Sequence, residues 1–318
     1  MRVFISGNIA ESGLSLLTEN NIEIKQWKES RQITKEELID ACRDADALVS
    51  VGPNKIDAGF LEACKHLKVI ALHSVGYDNV DVKAAKELNI PIGNTPGVLS
   101  RATADTAFLL MLAVSRKAFF LHKKIIAGQW ENYEPTPELG IELFGKTLGI
   151  FGLGKIGEEM AKRCIGAYGM KVIYHNRSRN EEAEKELGAV YVSFEELLAE
   201  SDVLSVHTAL TDETKNKFNI EVFKQMKAES IFINTARGGI HNEQDLIKAL
   251  QEKLIWGAGL DVTNPEPMQK DNPLLNMESV AVLPHIGSAT QETRNEMANL
   301  LAKNIIAGLT GKALPHRV

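Results

Sequence analysis

Three short segments of the 318-residue chain each place one polar side chain where an apolar run gives out. They are Ile233-Asn-Thr-Ala-Arg237-Gly-Gly239, Gly259-Leu-Asp261-Val-Thr-Asn-Pro-Glu266-Pro267 and Leu283-Pro-His285-Ile-Gly-Ser288. If each run is a strand of a parallel sheet, its carboxyl end is where such sheets bind ligands, so a guanidinium, a carboxylate and an imidazole share one edge. Arg237 suits a bidentate grip on a carboxylate and polarisation of an adjacent carbonyl. His285 suits proton donation to a developing alkoxide, and a neighbouring Glu266 carboxylate would favour the imidazolium and set the ring's tautomer. The chemistry that fits these types is hydride transfer between a nicotinamide and the carbonyl carbon of a 2-oxo acid. Each residue alone has a plainer reading, as a surface ion pair, a loop charge or a histidine near a helix start; their joint placement carries the catalytic one. Asp261, directly after a strand, would hold the nicotinamide amide or cap a turn.

A hydride carrier needs a cradle, and Thr147-Leu-Gly-Ile-Phe-Gly-Leu-Gly-Lys-Ile-Gly157 has the pattern of one. An apolar strand runs into Gly152-x-Gly154-x-x-Gly157 and then into helical spacing. Gly152 permits the tight turn, Gly154 lets a pyrophosphate approach the backbone, and Gly157 allows close helix–strand packing, with the anion at the helix N-terminus. About 20 residues on, an NAD site usually carries Asp or Glu for the ribose 2′-hydroxyl. Here the segment is Tyr174-His-Asn-Arg-Ser-Arg179. It lacks a carboxylate, and Arg177 and Arg179 with Ser178 are expected to grip a 2′-phosphate, with Asn176 a further cofactor residue. NADPH is therefore the expected cofactor, NADH the weaker alternative, and an ordinary solvated loop the structural one.

These segments need a scaffold, and the rest of the chain has the periodicity of one. Apolar or β-branched runs at 2–6, 22–26, 47–51, 69–72 and 90–92 alternate with helical spacing, which implies parallel βαβ units. Thr34-Lys-Glu-Glu37 is a capping box that starts one of the helices. Asn94-Thr-Pro-Gly97 breaks the pattern. After the glycine motif, runs near 171–174, 190–192, 203–207, 230–234, 256–259 and 280–283 resume it. The fold class expected is α/β: a doubly wound Rossmann cofactor domain over 96–287 and a smaller, split flavodoxin-like domain for substrate over 1–95 and 288–318. A final helix near 289–309 returns to the small domain, and the cleft framed by the two crossings, near 95 and 285, is expected to close over substrate. One long helix is expected over about 102–127. Its 104–114 part is apolar nearly all round, so a second subunit is expected on it, with Trp130 and the Pro135/Pro137 loop alongside. In Ser74-Val-Gly-Tyr-Asp-Asn-Val-Asp81, the Val75 and Gly76 N–H groups could form a nest for the substrate carboxylate, or the glycine could simply make a turn.

A formal net charge of −6 offers no basic face to nucleic acid or an anionic membrane. Cys42, Cys64 and Cys164 are widely spaced, which fits reduced, buried thiols and neither a disulfide framework nor a metal cluster. No apolar run is long enough for a bilayer or a signal peptide, so a cytoplasmic enzyme without a metal is expected.

Taken together, the motifs resemble the D-isomer-specific 2-hydroxyacid dehydrogenases, most closely their glyoxylate/hydroxypyruvate reductases. The resemblance runs through Ser74–Asp81, Asn94–Leu99, Thr147–Gly157, Asn234–Gly238, Gly259–Pro267, Pro284–Thr290 and Thr293–Asn295. It implies a homodimer built on the long helix, a catalytic set of Arg237, Glu266 and His285, and substrate contacts from Val75, Gly76, Arg237 and Ser288. It also implies cofactor contacts from Thr103, Leu153, Lys155, Ile156, Thr235, Asp261 and Gly287. Three positions depart from the family pattern: Asp105 where Glu is common, Ala209 where Pro is common, and His241 where an apolar residue is usual. The rivals are an NAD-dependent dehydrogenase of another D-2-hydroxy acid and a dinucleotide-sensing, corepressor-like binding protein.

Overall fold

The computed structural model describes residues 1–318, which divide into two compact units, Met1–Leu99 with Ala289–Val318, and Ser100–Ser288. The divisions fall a few residues from the expected crossings because the helix Ser100–Ser115 starts the second unit, rather than the Asn94-Thr-Pro-Gly97 break itself.

The smaller unit holds one parallel sheet of β1 (Arg2–Ile5), β2 (Glu23–Gln26), β3 (Ala47–Ser50), β4 (Val69–Leu72) and β5 (Ile92–Gly93), in the order β2-β1-β3-β4-β5. The central strands β3 and β4 are buried on both faces and read as unbroken apolar runs, whereas edge strand β2 alternates Glu23 and Lys25 outward. Thr34 and Glu37 form the expected capping box. The C-terminal helix Gln291–Leu309 belongs to this unit: its Ala298 touches Gly13, and its Gly308 lies so close to Val69 that a Cβ there would be 2.4 Å from the valine Cβ. Two small residues thus set how near that helix lies to its neighbours.

The larger unit holds β6 (Thr147–Phe151), β7 (Lys171–His175), β8 (Val190–Tyr191), β9 (Val203–Val206), β10 (Ile231–Asn234), β11 (Gly257–Leu260) and β12 (Val280–Val282). All pair in parallel, in the order β12-β11-β10-β9-β6-β7-β8. Chain order reverses between β6 and β9, and that switch point is where a doubly wound sheet leaves a crevice at its carboxyl edge.

The expected long helix is two helices, Ser100–Ser115 and Ala118–Ile126. Lys117 turns into the left-handed region (φ 52°), and the Ser115 carbonyl accepts from the Ile141 amide at 2.9 Å. Gly140 reaches so close to that carbonyl that a side chain there would collide with it. The first helix finds most of its burial within its own unit, with Ala104, Ala107, Leu110, Met111 and Val114 in the core. Large exposed apolar residues follow it: Ile125, Ile126, Trp130, Tyr133, Leu139 and Phe144.

Candidate active site

Arg237, Asp261 and His285 stand just beyond the ends of β10, β11 and β12, three adjacent parallel strands. Strand spacing of about 4.8 Å sets them along one edge. His285 Nδ1 faces Glu266 Oε1 at 2.5 Å, and both side chains are partly open to solvent. The pair fixes the ring: with Nδ1 committed to the carboxylate, Nε2 is the nitrogen left for other chemistry.

His285 has a left-handed backbone (φ 55°), a conformation that costs a non-glycine residue about 1–3 kcal/mol. Asp261 holds it there. The amides of three successive residues donate to that one aspartate: His285 N–H to its backbone carbonyl (2.9 Å), Ile286 N–H to Oδ1 (2.8 Å) and Gly287 N–H to Oδ2 (2.7 Å). Burial pushes the Asp261 carboxyl up from the usual range, and the two amide bonds to its carboxylate pull it back. Asp261 was expected to hold a nicotinamide amide or cap a turn; its carboxylate caps the histidine loop through the Ile286 and Gly287 amides. Gly287 and Thr103 meet at the same place, since a Cβ on Gly287 would lie 3.3 Å from the Thr103 methyl and 3.0 Å from Asp261 Oδ2. Ser288 follows, half-buried.

The Arg237 turn is shaped by a residue that carries no obvious chemistry, Asn234. Its fully buried amide accepts from Ala236 N–H (2.9 Å) and donates to the Arg237 carbonyl (2.9 Å) and to His241 Nδ1 (3.0 Å). His241 is therefore an acceptor at Nδ1 and carries its proton at Nε2, and burial lowers its pKa to about 4. Gly238 lets the turn touch the Glu266 loop, for a Cβ there would sit 1.9 Å from the Thr263 carbonyl. That loop is tied down in turn by Glu243, which accepts from Asn264 N–H and the Asn272 amide. Asn234 and Glu243 escaped notice in the sequence because their work is hydrogen bonding to backbone and to a second amide, which leaves no spacing signal. Arg237 itself is half-buried, and its Nη1 bonds the Ala236 carbonyl at 2.8 Å.

The glycine turn joins β6 to the helix Lys155–Tyr168. Gly152 has φ 101°, and a Cβ there would lie 2.8–2.9 Å from the backbone of His207 and Thr208. Gly157 is pressed against the Gly152 carbonyl and Ile150. A Cβ on Gly154, by contrast, would meet nothing within 4 Å, and the helix it caps has no side chain bonded to its first amides. The one open glycine thus stands beside unclaimed donors at a helix N-terminus, which fits a dinucleotide pyrophosphate. Thr235, buried with no partner for its hydroxyl, lies at the carboxyl end of β10, and the buried His207 Nδ1 is likewise unpaired at the end of β9.

Several residues expected at the cofactor have contacts within the chain. Leu153 packs its side chain into the core, and its N–H donates to Asn176 Oδ1 at 2.7 Å. Asn176 returns a bond to the Leu153 carbonyl, so it fastens the glycine turn to the end of β7. The Lys155 side chain points into solvent toward Glu158. Arg177 and Ser178 are exposed. Arg179 has a partner within the chain: its guanidinium is forked onto Glu184, Nε to Oε1 at 3.0 Å and Nη2 to Oε2 at 2.5 Å.

In the smaller unit, the carbonyls of Ser74, Val75 and Gly76 accept from Thr95 N–H (3.0 Å), the Asn94 amide (2.8 Å) and the Ser74 hydroxyl (2.7 Å). Pinned in this way, the loop has its Val75 and Gly76 N–H groups to offer an anion.

Residues 108–287 match the family described as "D-isomer specific 2-hydroxyacid dehydrogenase, NAD binding domain". The chain is 45% identical to a glyoxylate reductase of Thermococcus litoralis, over 100% of this chain and 96% of that one. Among solved structures it is similar to a glyoxylate reductase from Paecilomyes thermophila (35% identity, TM-score 0.88, 100% and 98% of the two chains). It is also similar to an NADPH-dependent glyoxylate/hydroxypyruvate reductase from Sinorhizobium meliloti in complex with NADP and malonate (32% identity, TM-score 0.85, 100% and 96%).

Proposed function

The chain belongs to the D-isomer specific 2-hydroxyacid dehydrogenase family of NAD(P)-dependent oxidoreductases, and from that premise we propose that it reduces glyoxylate to glycolate and hydroxypyruvate to D-glycerate with NADPH. The observation that carries the reading is the His285–Glu266 pair at the carboxyl edge of three parallel strands, beside the Arg237 turn. When bound, the nicotinamide supplies the hydride. Arg237 binds the substrate carboxylate and draws density from the adjacent carbonyl. His285 offers a proton from Nε2 to the oxygen that becomes the hydroxyl, while Glu266, bonded at Nδ1, orients the ring. Ser288 and the Val75 and Gly76 amides are assigned as further substrate contacts. The pyrophosphate is assigned to the amides that open the helix after Gly154, with Thr103, Thr235 and Gly287 as further cofactor contacts, and Arg177 with Ser178 to a 2′-phosphate. The exposed apolar residues Ile125, Ile126, Trp130, Tyr133, Leu139 and Phe144, which fall in one short stretch of chain, are read as part of the face of a homodimer.

The test is absorbance at 340 nm with glyoxylate or hydroxypyruvate, NADPH and NADH side by side, on protein whose mass in solution is checked by sedimentation. Rapid NADPH oxidation, a smaller NADH rate and a dimer are expected. Arg237→Ala should raise KM for the oxo acid and lower kcat together, since one group both binds and polarises. Dinucleotide binding without turnover would instead favour a sensing protein.

A further inference from the structure

The loop between β7 and the helix Glu181–Leu187 carries two arginines, and the structure treats them differently. Arg177 is exposed. Arg179 is bonded through both Nε and Nη2 to the two oxygens of Glu184. Glu184 is anchored from behind as well: the hydroxyl of the fully buried Tyr174 donates to Oε1 at 2.5 Å and accepts from Asn180 N–H at 2.7 Å. Asn180 caps the helix through Ala183 N–H and bonds the Leu153 carbonyl in the glycine turn at 3.1 Å. The acidic side chain is thus fixed through Tyr174 and Asn180 to the turn that would cradle a pyrophosphate. It is also ionised across the working range, since the Arg179 fork, helped by the Tyr174 hydroxyl, lowers the Glu184 pKa to about 2.

We infer that Glu184 sets the enzyme's discrimination between phosphorylated and unphosphorylated dinucleotides by sequestering Arg179, which leaves Arg177 as the arginine that meets the 2′-phosphate. This inference rests on the NADPH reading and refines it. A guanidinium whose fork is filled by a carboxylate has lost the bidentate geometry that a phosphate would use, and the carboxylate cancels its charge at close range. Arg179 then matters chiefly by neutralising Glu184: without it, a bare carboxylate would stand near a dianionic phosphate and repel it. An NADH ribose, which brings only a hydroxyl, is nearly indifferent to the exchange.

The experiment measures KM for NADPH and NADH in the wild-type enzyme, Arg177→Ala, Glu184→Gln, Arg179→Ala and the double variant Arg179→Ala/Glu184→Gln. The NADPH reading is judged on the first two, which should show NADPH preference and its loss. The inference is judged on the other three. Glu184→Gln, which keeps an acceptor for Tyr174, should lower KM for NADPH roughly three- to tenfold and leave NADH within about twofold. Arg179→Ala should raise it by a similar factor, and the double variant should return to within about twofold of wild type. A double variant as impaired as Arg179→Ala would make Arg179 a direct phosphate ligand and overturn the inference. So would a Glu184→Gln enzyme whose KM for NADPH rose or stayed the same.

Discussion

At the scale of single residues, the proposed proton donor is held by what surrounds it more than by its own packing, for the His285 side chain is about half exposed. Its geometry comes from two acids with separate tasks. Glu266 sets the ring through Nδ1, and Asp261 sets the backbone through three consecutive amides. Asp261→Asn would turn one of its two accepting oxygens into an NH2 donor facing an N–H, and the left-handed turn at His285 would relax. We expect kcat to fall on the order of tenfold or more, because an ångström of misplacement at a reacting group has that effect. A variant with wild-type kcat and an unshifted melting temperature would remove Asp261 from the positioning of His285. Arg237, Glu266 and His285 were all legible in the sequence, since each is a chemical type at the end of an apolar run. Asn234, Glu243 and Glu184 were not legible, because a residue that acts by bonding another residue is recognised only once both are in place.

At the scale of elements, the glycines sort into those the fold requires and those a ligand requires. Gly152 needs its positive φ and touches the His207–Thr208 backbone; Gly238 would collide with the Thr263 carbonyl; Gly154 faces open space with an ordinary φ of −106°. Gly154→Ala should therefore fold with little change in thermal stability but bind dinucleotide at least roughly tenfold more weakly, its methyl occupying the approach to the helix N-terminus. Gly238→Ala should do the reverse at first order, costing about 2–4 kcal/mol in urea unfolding because backbone must move. Equal effects of both variants on stability would contradict this division. The same scale explains the one element misread from sequence. Apolar spacing from 102 to 127 predicts a continuous helix, but spacing does not reveal that Ile141 will take the Ser115 carbonyl and that Lys117 will turn left-handed.

For the whole molecule, three histidines are held neutral by burial: His73 in the smaller unit, where the Arg294 charge adds to the effect, and His207 and His241 in the larger, each with pKa lowered to about 4 from 6.5. The sign follows from linkage. Above about 6.5 each is neutral in both the folded and unfolded chain and has no effect; as pH falls from 6.5 toward 4, the unfolded chain takes up protons that the folded one refuses, and stability is lost. For the wholly buried His241 the loss approaches roughly 3 kcal/mol by pH 4. Urea midpoints should drop steadily between pH 6.5 and 4.5, and His241→Val should flatten part of that slope. A stability that held constant across this window would refute the assignment.

The sequence by itself determined the layering, the glycine cradle and the three polar residues at strand ends, because periodicity, turn chemistry and side-chain type are local properties. Sheet order belonged to the tertiary structure, which brings the ends of β10, β11 and β12 side by side although Asp261 lies 24 positions after Arg237 and His285 another 24 after Asp261. Only the tertiary structure, too, could show which of two neighbouring arginines is paired with a carboxylate. Arg177 and Arg179 are indistinguishable by type and by position in the loop. What separates them is a carboxylate one helical turn further on, set in place by a buried tyrosine, and charge pairing through space has no signature along the chain.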